Sequence, residues 1–268
     1  MQWQNIYRGF LMGVSDIVPG VSGGTIAVLL GIYDRLIASI NGLFSKDWKR
    51  SLGFLIPLGV GAGTALFSLS HLMEWLLLEH PVPTFFTFIG LIIGVLPFLF
   101  NEAEAKTQFG LTHYLLLVIG VIMLILLPTS PNEGAIIVER TLSVYIMLFF
   151  AGFLASTAMI LPGISGSLIL MIIGFYATVI NGLKEFDLLL LIVVASGILV
   201  GLLTMSKIIH YFLKHYRTQT YALIIGLVIG SIFVIFPGMP IGISMWVISF
   251  ITFVIGLLVA FLLGKIEY

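Results

Sequence analysis

The sequence predicts an all-α, polytopic membrane protein built from two inverted-topology repeats. Of its 268 residues, 60% are hydrophobic and only 9% are charged, whereas a soluble domain carries roughly 25% charged residues. A soluble core of this size cannot bury so much apolar surface, so lipid must surround most of the chain. Two further observations support the prediction: a Pro-Gly break that occurs twice, and basic residues that gather on one side of the membrane.

Six stretches are apolar over about the 20 residues that a helix needs to cross the hydrocarbon. They lie near residues 52–73, 83–100, 112–128, 188–207, 221–236 and 245–264. The segments between them are short and hold most of the charges, so no separate soluble domain is expected. No small-residue cleavage site follows the first apolar stretch, and we expect the N-terminus to stay in the mature protein.

Two other apolar regions, residues 7–33 and 142–182, do not fit a single span. Each is interrupted by a Pro-Gly pair, Pro19-Gly20 in the first and Pro162-Gly163 in the second. Proline removes a helix hydrogen bond and clashes with the preceding turn. Each region is therefore expected to form two short helices that meet at a kink or at a re-entrant tip. Such irregular backbone at membrane depth is tolerated only inside protein or beside water.

The two breaks are copies of each other. Pro19-Gly20-Val21-Ser22-Gly23 matches Pro162-Gly163-Ile164-Ser165-Gly166 at an offset of 143 residues. Further along, residues 89–94 resemble residues 225–230 at an offset of 136, so the second half has a loop shorter by seven residues. Two matches in the same order indicate a duplication, with repeat 1 in residues 1–128 and repeat 2 in residues 141–268.

The number of membrane crossings in each repeat predicts that the second copy is inverted. Each repeat holds one hairpin and three spans, which gives three crossings if the hairpin is re-entrant and five if it crosses; both numbers are odd. This topology places ten of the twelve basic residues on one side, all but Arg140 and Lys184. By the positive-inside rule both termini are then cytoplasmic. Inverted repeats with broken helices at matching positions are typical of secondary transporters, but the charges do not distinguish the two forms of hairpin.

A new helix is expected to begin after each break, with Ser22 and Ser165 as candidate N-caps. The first amides of a helix have no partner within it and carry the positive end of the helix dipole. Two such tips converging near the bilayer midplane would form an anion site for phosphate or carboxylate. The predicted phosphate-binding residues are Ser22, Gly23, Gly24, Thr25, Ser165, Gly166 and Ser167. Alternatively, these residues only kink the helices and allow close packing.

The first hairpin differs from the second in carrying charge. Arg8 and Asp16 align with Ala151 and Met159. An ionisable side chain inside a membrane is a functional candidate, so Asp16 is the predicted carrier of a coupling proton, or else a cap that holds the tip. Arg8 is either an additional phosphate ligand or an interfacial anchor.

Other residues indicate no catalytic or cofactor site. His71 and Glu74 align with Lys207 and His210, and their roles are left open, with snorkelling to the interface as the simplest interpretation. The chain has no cysteine, no phosphate-binding loop, no zinc-protease pattern and no nucleophile elbow. We therefore expect no enzyme, metal or cofactor. The absence of basic runs argues against nucleic acid, and the oligomeric state stays open.

Residues 13–25 with Gly31-Ile32-Tyr33, together with residues 159–167, resemble two signatures of the polyprenyl-phosphate transporter family, long catalogued as a domain of unknown function. The resemblance covers nearly the whole chain. It implies a flippase of the bacterial plasma membrane that returns undecaprenyl phosphate, the C55 lipid carrier of peptidoglycan and cell-envelope synthesis, from the outer to the inner leaflet. The expected partners are this lipid and the membrane lipids. The residues alone leave two alternatives: a small-anion transporter or channel that uses the same tips, and a membrane enzyme that acts on a lipid phosphate.

Overall fold

The computed structural model describes residues 2–18, 20–128, 136–137, 139 and 141–267. The predictions on Pro19 and Arg140 fall outside these residues. All regular structure in the described ranges is helical. The elements are α1 (Asn5–Ile17), α2 (Gly23–Leu29), α3 (Tyr33–Asn41), a 3₁₀ turn (Gly42–Phe44), α4 (Trp48–Glu79), α5 (Pro81–Glu102), α6 (Ala105–Gln108), α7 (Leu111–Ile125), α8 (Leu142–Met159), α9 (Gly166–Ile172), α10 (Tyr176–Lys184), α11 (Leu188–His215), α12 (Arg217–Ile235) and α13 (Ile243–Glu267).

Six of these helices are long and apolar enough to cross a membrane: α4, α5, α8, α11, α12 and α13. The six predicted spans correspond to α4, α5, α7, α11, α12 and α13. Helix α7 has only 15 residues, about 22 Å at 1.5 Å per residue, and is shorter than the hydrocarbon core. The chain is therefore a multi-pass helical membrane protein, as the sequence predicts.

The first broken region, residues 7–33, contains two helices as predicted, with α3 beginning at its last residue, whereas the second, residues 142–182, contains three. Each has a second bend, at Gly31 in the first region and Gly174 in the second, where φ is +62° and +78°. Glycine adopts this left-handed conformation without the penalty that a Cβ brings. The second bend turns α9 and α10 by 113° from each other. Helix α8 has 18 residues and is long enough to cross, whereas α1 has only 13.

The long helices pack in a reciprocal pattern. Within each half, the first helix lies along the fourth, so that α1 packs on α4 and α8 packs on α11. Between the halves, the last long helix of each repeat packs on a helix of the other repeat: α13 packs on α5, and α7 packs on α12. Two copies related by a two-fold axis would make these contacts, so the packing is compatible with inverted repeats.

Small residues at equivalent positions allow these close approaches. Gly90 lies against the backbone of α13, and Gly226, which follows it by 136 residues, lies against the backbone of α7. The same offset relates Gly120 on α7, which faces α12, to Gly256 on α13, which faces α5. The offset between equivalent residues of the two halves changes from 143 to 136 at the connection between α3 and α4. The equivalent connection in the second half joins α10 to α11 and has no 3₁₀ turn. The connection shortens from six residues, 42–47, to three, 185–187, and the other four of the seven residues come from the start of α4, since α4 has 32 residues and α11 has 28.

One apolar core joins the two halves. It contains Val18, Ile26, Leu29 and Phe88 from the first half and Ile160, Ile224 and Val228 from the second. Helix α2 is buried along its whole length at the centre of this core. The first tip is thus held inside protein, which is where irregular backbone at membrane depth is tolerated.

Candidate functional site

The first tip begins at Ser22, as predicted. Ser22 has extended backbone geometry, and its Oγ accepts a 3.1 Å hydrogen bond from the amide of Gly24. The amide of Gly23 donates a 2.7 Å hydrogen bond to Oδ1 of Asp16. Gly20, with φ of +84°, reverses the chain so that the end of α1 returns to the start of α2.

These bonds change the prediction for the first tip. We expected its amides to be free for a ligand, but in this conformation the side chains of Asp16 and Ser22 accept them. The carboxylate of Asp16 thus occupies the position in which an anion would be bound. Helix α2 also has only seven residues, so its dipole is shorter than that of a typical helix, and the hydroxyls and amides themselves must supply most of the attraction.

The second tip has no such carboxylate cap. Met159 takes the place of Asp16, and a Cβ built on Gly166 would lie 3.4 Å from the Cβ of Met159. Ser165 makes no side-chain cap to α9; its hydroxyl pairs instead with the hydroxyl of Ser167 at 2.7 Å. No hydrogen bond from the amides of Gly166 and Ser167 is present among the described residues. The second tip therefore offers amides and hydroxyls that the first tip uses internally.

The two breaks are in direct contact. The amide of Gly163 donates a 2.9 Å hydrogen bond to Oγ1 of Thr25, and the Ser22 hydroxyl reaches the carbonyl of Met159 at 3.5 Å. The hydroxyl of Tyr33 donates to the carbonyl of Ile160 at 3.0 Å. Pro162 and Gly163 are buried beside α12, where a Cβ on Gly163 would lie 2.6 Å from the carbonyl oxygen of Leu227. Thr25 joins the breaks to each other and does not line the cavity described next.

A cavity of about 400 Å³, the tip cavity, lies beside this contact. Its polar end is formed by Asp16, Gly23 and Gly24. The remaining walls come from α1, α3, the 3₁₀ turn, α4, α11 and the end of α8, and their residues are Met12, Leu36, Ile40, Leu43, Leu55, Leu58, Gly59, Met159, Ile160, Leu199, Leu202 and Leu203. Backbone and carboxylate at one end of an apolar space suit a ligand with a polar head and an apolar body.

A second apolar cavity, of about 380 Å³, lies between α7, α11 and α12. Tyr33 and Leu161 line it, and Tyr33 is the residue whose hydroxyl binds Ile160. Apolar space therefore lies on both sides of the segment from Met159 to Leu161, which carries the break of the second hairpin.

Arg8 is not with the other predicted site residues. Its guanidinium binds Glu267 at the end of α13, with Nε 3.1 Å from Oε1 and Nη2 2.5 Å from Oε2. It also donates to Asn5, and the Tyr7 hydroxyl binds the same Glu267 carboxylate. Arg8 precedes Asp16 by eight residues on α1, about 12 Å along the axis. In this conformation it ties the two ends of the chain together and does not contact the tips.

A second set of ion pairs, which the sequence did not reveal, also joins the two halves. Arg217 at the start of α12 lies 3.5 Å from Oδ2 of Asp34 on α3 and pairs with Glu102 at the end of α5. The Tyr221 hydroxyl donates to Asp34 at 2.9 Å. In the other half, the positions equivalent to Arg8, Asp34, Arg217 and Glu102 are occupied by uncharged residues, respectively Ala151, Ala177, Pro81 and Gly238. Among the described residues, the ion pairs between the halves lie at one end of the protein.

The other polar residues singled out by the sequence lie away from the tips. His71 and Glu74 are exposed, with 3.9 Å between Nδ1 and Oε2. Lys207 is exposed, and His210 lines a different cavity near the start of α4. In the part of the chain that the structure describes, no group of three or more His, Asp or Glu residues is placed to hold a metal ion.

The contact between the two breaks gives a stability prediction. Replacing Thr25 with valine keeps the shape of the side chain but leaves the buried amide of Gly163 without its acceptor, which costs about 2 kcal/mol. We expect a lower melting temperature of the detergent-solubilised protein for Thr25→Val, and a smaller decrease for Thr25→Ser, which keeps the hydroxyl but loses a buried methyl group worth about 1 kcal/mol. The matched control is Thr64→Val, since the exposed Thr64 hydroxyl binds only its own helix. An unchanged melting temperature for Thr25→Val would contradict the role assigned to this bond.

Comparisons with a family model and with known proteins match most of the chain. Residues 12–250 match the family described as undecaprenyl phosphate translocase-like. The chain is 47% identical over 275 aligned residues to a polyprenyl-phosphate transporter of Staphylococcus aureus, covering 99% of this chain and 97% of that protein. It is 38% identical over 247 residues to a polyprenyl-phosphate transporter of Vibrio cholerae, covering 86% of this chain and 76% of that protein. No solved structure matches the chain significantly. With most of its length matched in each comparison, the chain belongs to the undecaprenyl phosphate translocase-like family.

Proposed function

We propose that this protein carries undecaprenyl phosphate from the outer to the inner leaflet of a bacterial plasma membrane, so that the carrier is used again in cell-envelope synthesis. The observation that carries the proposal is the contact between the two breaks beside an apolar cavity, which is lined by Gly23 and Gly24 of the first tip and by Met159 and Ile160 of the second hairpin, but not by Ser165, Gly166 or Ser167. The proposal is supported by the family match and by two relatives that are named polyprenyl-phosphate transporters. Those names also support transport rather than catalysis, so the lipid should leave the protein chemically unchanged.

The walls of the tip cavity favour a lipid over a small anion. Only Asp16 among its fifteen lining residues is charged, and most of the others are leucine, isoleucine or methionine. A small hydrated anion would need a polar path, because an unpaired charge in an apolar environment is strongly destabilised. A polyprenyl tail is stable against such walls and moves between leaflets within hydrocarbon. The head group is therefore the part that the protein must shield.

We assign the head group to the two tips. The second tip supplies the amides of Gly166 and Ser167 and the hydroxyls of Ser165 and Ser167, for which the described part of the chain shows no acceptor outside the tip. The first tip supplies Gly23 and Gly24 once the side chains of Asp16 and Ser22 release their amides. Hydrogen bonds between amides and an ionised phosphate are roughly twice as strong as those between neutral groups.

Asp16 couples binding of the phosphate head group to the uptake of a proton. A phosphate close to Gly23 would face the Asp16 carboxylate, and two like charges 4 Å apart repel by about 4 kcal/mol at an effective dielectric constant near 20. A proton on Asp16 removes the repulsion and weakens its bond to Gly23. Inward movement of a phosphate also opposes an inside-negative potential, at about 2.3 kcal/mol per charge per 100 mV. A proton that enters with the phosphate reduces the charge that is moved.

We infer that the end of the protein where ion pairs join the two halves is the end that parts during the transport cycle. Arg217 with Asp34 and Glu102, and Arg8 with Glu267, each bridge the two repeats. We place this end, with both termini, at the cytoplasmic face, since the basic loops lie there under the positive-inside rule. Rocking of one repeat against the other would break these pairs and expose the tips to one leaflet at a time.

Leaflet-resolved transport in proteoliposomes tests the proposal. Vesicles with undecaprenyl phosphate confined to one leaflet are followed by an impermeant probe of the exposed phosphate. We expect redistribution well above that of protein-free vesicles, recovery of intact lipid, and no matching flux of inorganic phosphate or sulfate. Redistribution equal to that of protein-free vesicles would reject the function. Rapid flux of inorganic anions without lipid movement would instead establish the small-anion alternative.

A further inference from the structure

A polar cavity of about 420 Å³, the arginine cavity, lies apart from the tips. It is enclosed by α3, the 3₁₀ turn Gly42–Phe44, the start of α4, and His210 of α11. Its charged lining residues are Arg35, Asp47 and Arg50. In contrast to the two apolar cavities, its walls combine guanidinium, hydroxyl, amide and imidazole groups, so it suits a small, highly polar ligand.

The lining has an excess of positive charge. Neither Arg35 nor Arg50 forms an ion pair with a carboxylate among the described residues, and Arg35 instead stacks on Phe54, with 5.2 Å from Cζ to the ring centre. Asp47 brings one negative charge against these two positive charges. Arginine presents a planar set of donors that matches phosphate oxygens in pairs.

Two hydroxyls that open into the cavity add hydrogen-bonding groups beside the arginines. Ser39 and Ser51 line the cavity and are only 7% and 5% exposed, and no hydrogen bond of either hydroxyl is present among the described residues. Neither oxygen is sealed from solvent, since Ser249 Oγ is the only buried side-chain oxygen or nitrogen without a partner in the described chain, so both hydroxyls face accessible space in which a ligand can bind. Gly42 keeps the space open, because a Cβ there would collide with Oγ of Ser51. The cavity therefore contains donors that nothing in the described chain uses.

The cavity lies at the depth of the lipid head groups. Trp48 and Lys49 at the start of α4 are exposed, with the Lys49 ammonium 5.7 Å from the Trp48 ring centre, and the apolar run of α4 begins just after them. Tryptophan and lysine in this arrangement mark a membrane–water interface. Helices α3 and α4 also form a wall of the tip cavity, which includes Leu36, Ile40 and Leu55. The two cavities thus share two helices, one cavity reaching the tips and the other the surface.

We propose that the arginine cavity binds the phosphomonoester head group of a polyprenyl-phosphate lipid at the membrane surface, as a second binding site separate from the tips. Arg35 and Arg50 bind the phosphate oxygens, and Ser39 and Ser51 donate to them. A phosphomonoester carries about 1.5 to 2 negative charges near neutral pH, which two guanidiniums match better than they match a singly charged phosphodiester. This inference rests on the proposed function for the identity of the lipid, but the binding itself is independent of transport.

The absence of cysteine from the chain allows a test at this cavity alone. Ala38 is exposed and lines the cavity, so Ala38→Cys provides a thiol whose rate of modification by a polar methanethiosulfonate reagent is measured in nanodiscs. We expect undecaprenyl phosphate to slow this reaction about tenfold. The same lipid should leave the rate at Thr107→Cys, on the exposed helix α6, unchanged. Protection at Ala38→Cys should disappear when Arg35→Gln and Arg50→Gln are added.

Matched controls distinguish a lipid phosphomonoester from other anions, and distinguish failure of this binding site from failure of the proposed transport function. Lys46→Gln with Lys49→Gln removes the same charge from residues that do not line the cavity, and it should keep the protection. Equal protection by phosphatidylglycerol, or by inorganic phosphate at the same concentration, would overturn the assignment to a lipid phosphomonoester, as would protection that survives loss of both arginines. Protection without any lipid movement in proteoliposomes would reject the transport function while supporting this site.

Discussion

Replacing Ser165 with leucine is expected to lower the rate of undecaprenyl phosphate transport at least about 100-fold. Leucine removes a hydroxyl from the uncapped tip and places an apolar side chain beside the amides of Gly166 and Ser167. Loss of one or two hydrogen bonds to an ionised phosphate amounts to about 3 kcal/mol, and each 1.4 kcal/mol is a factor of ten. The measurement is the initial rate of leaflet redistribution in proteoliposomes with equal amounts of folded protein.

Two further variants show whether such a loss is specific to the tip. Ser68→Leu makes the same substitution on the exposed face of α4, where the hydroxyl binds only its own helix, and should transport like the wild type. Ser165→Ala with Ser167→Ala removes both hydroxyls without adding bulk, and should also transport about 100-fold more slowly than the wild type, because two hydrogen bonds to the phosphate are lost. If Ser165→Leu is folded and transports within a factor of three of the wild type, the second tip does not hold the head group.

The parts of the fold that local chemistry decides were predictable from the sequence. The Pro162-Gly163 pair follows the end of α8, and Gly163 and Gly20 adopt a left-handed φ that ends a helix. Long apolar runs form helices in lipid whatever they pack against. The residues at matching offsets, such as Gly90 and Gly226, indicated the duplication because close packing of helix backbones leaves room for little else. The second bends at Gly31 and Gly174 were missed because a lone glycine within an apolar run does not by itself break a helix.

The contacts that depend on the three-dimensional arrangement were not predictable. Nothing in the spacing of Asp16 and Gly23 shows that a reversal of the chain brings the carboxylate to the amide. Arg217 and Asp34 are 183 residues apart in the sequence, and their pairing requires the packing of α12 beside α3 and α5. Arg8 was predicted as a possible phosphate ligand because it is charged in an apolar segment, but its partner is at the other end of the chain. Thr25 was grouped with the ligands although its hydroxyl joins the two breaks.

Replacing Asp16 with asparagine is expected to abolish the dependence of transport on the pH of the outer compartment. In the wild type, a lower outer pH places a proton on Asp16, removes its repulsion of the phosphate and speeds inward movement. With one proton per cycle, the rate should rise by about a factor of ten for each unit of pH, the change in proton activity that corresponds to about 1.36 kcal/mol. Asparagine keeps an oxygen that accepts the Gly23 amide, so the tip should fold normally while the proton site is lost.

This substitution distinguishes the two roles that the sequence left open for Asp16. A residue that only caps the tip would leave the slope of rate against pH unchanged in Asp16→Asn, since the amide oxygen still accepts the bond from Gly23. If Asp16 carries the proton, Asp16→Asn should give a flat pH profile and a larger response to membrane potential, because the phosphate then crosses without a compensating charge. Glu185→Gln, which neutralises an exposed carboxylate at the end of α10, controls for the loss of one charge and should keep the wild-type slope. A wild-type slope in Asp16→Asn would reject proton coupling through this residue, whereas binding of the head group at the tips is tested separately by the Ser165 variants.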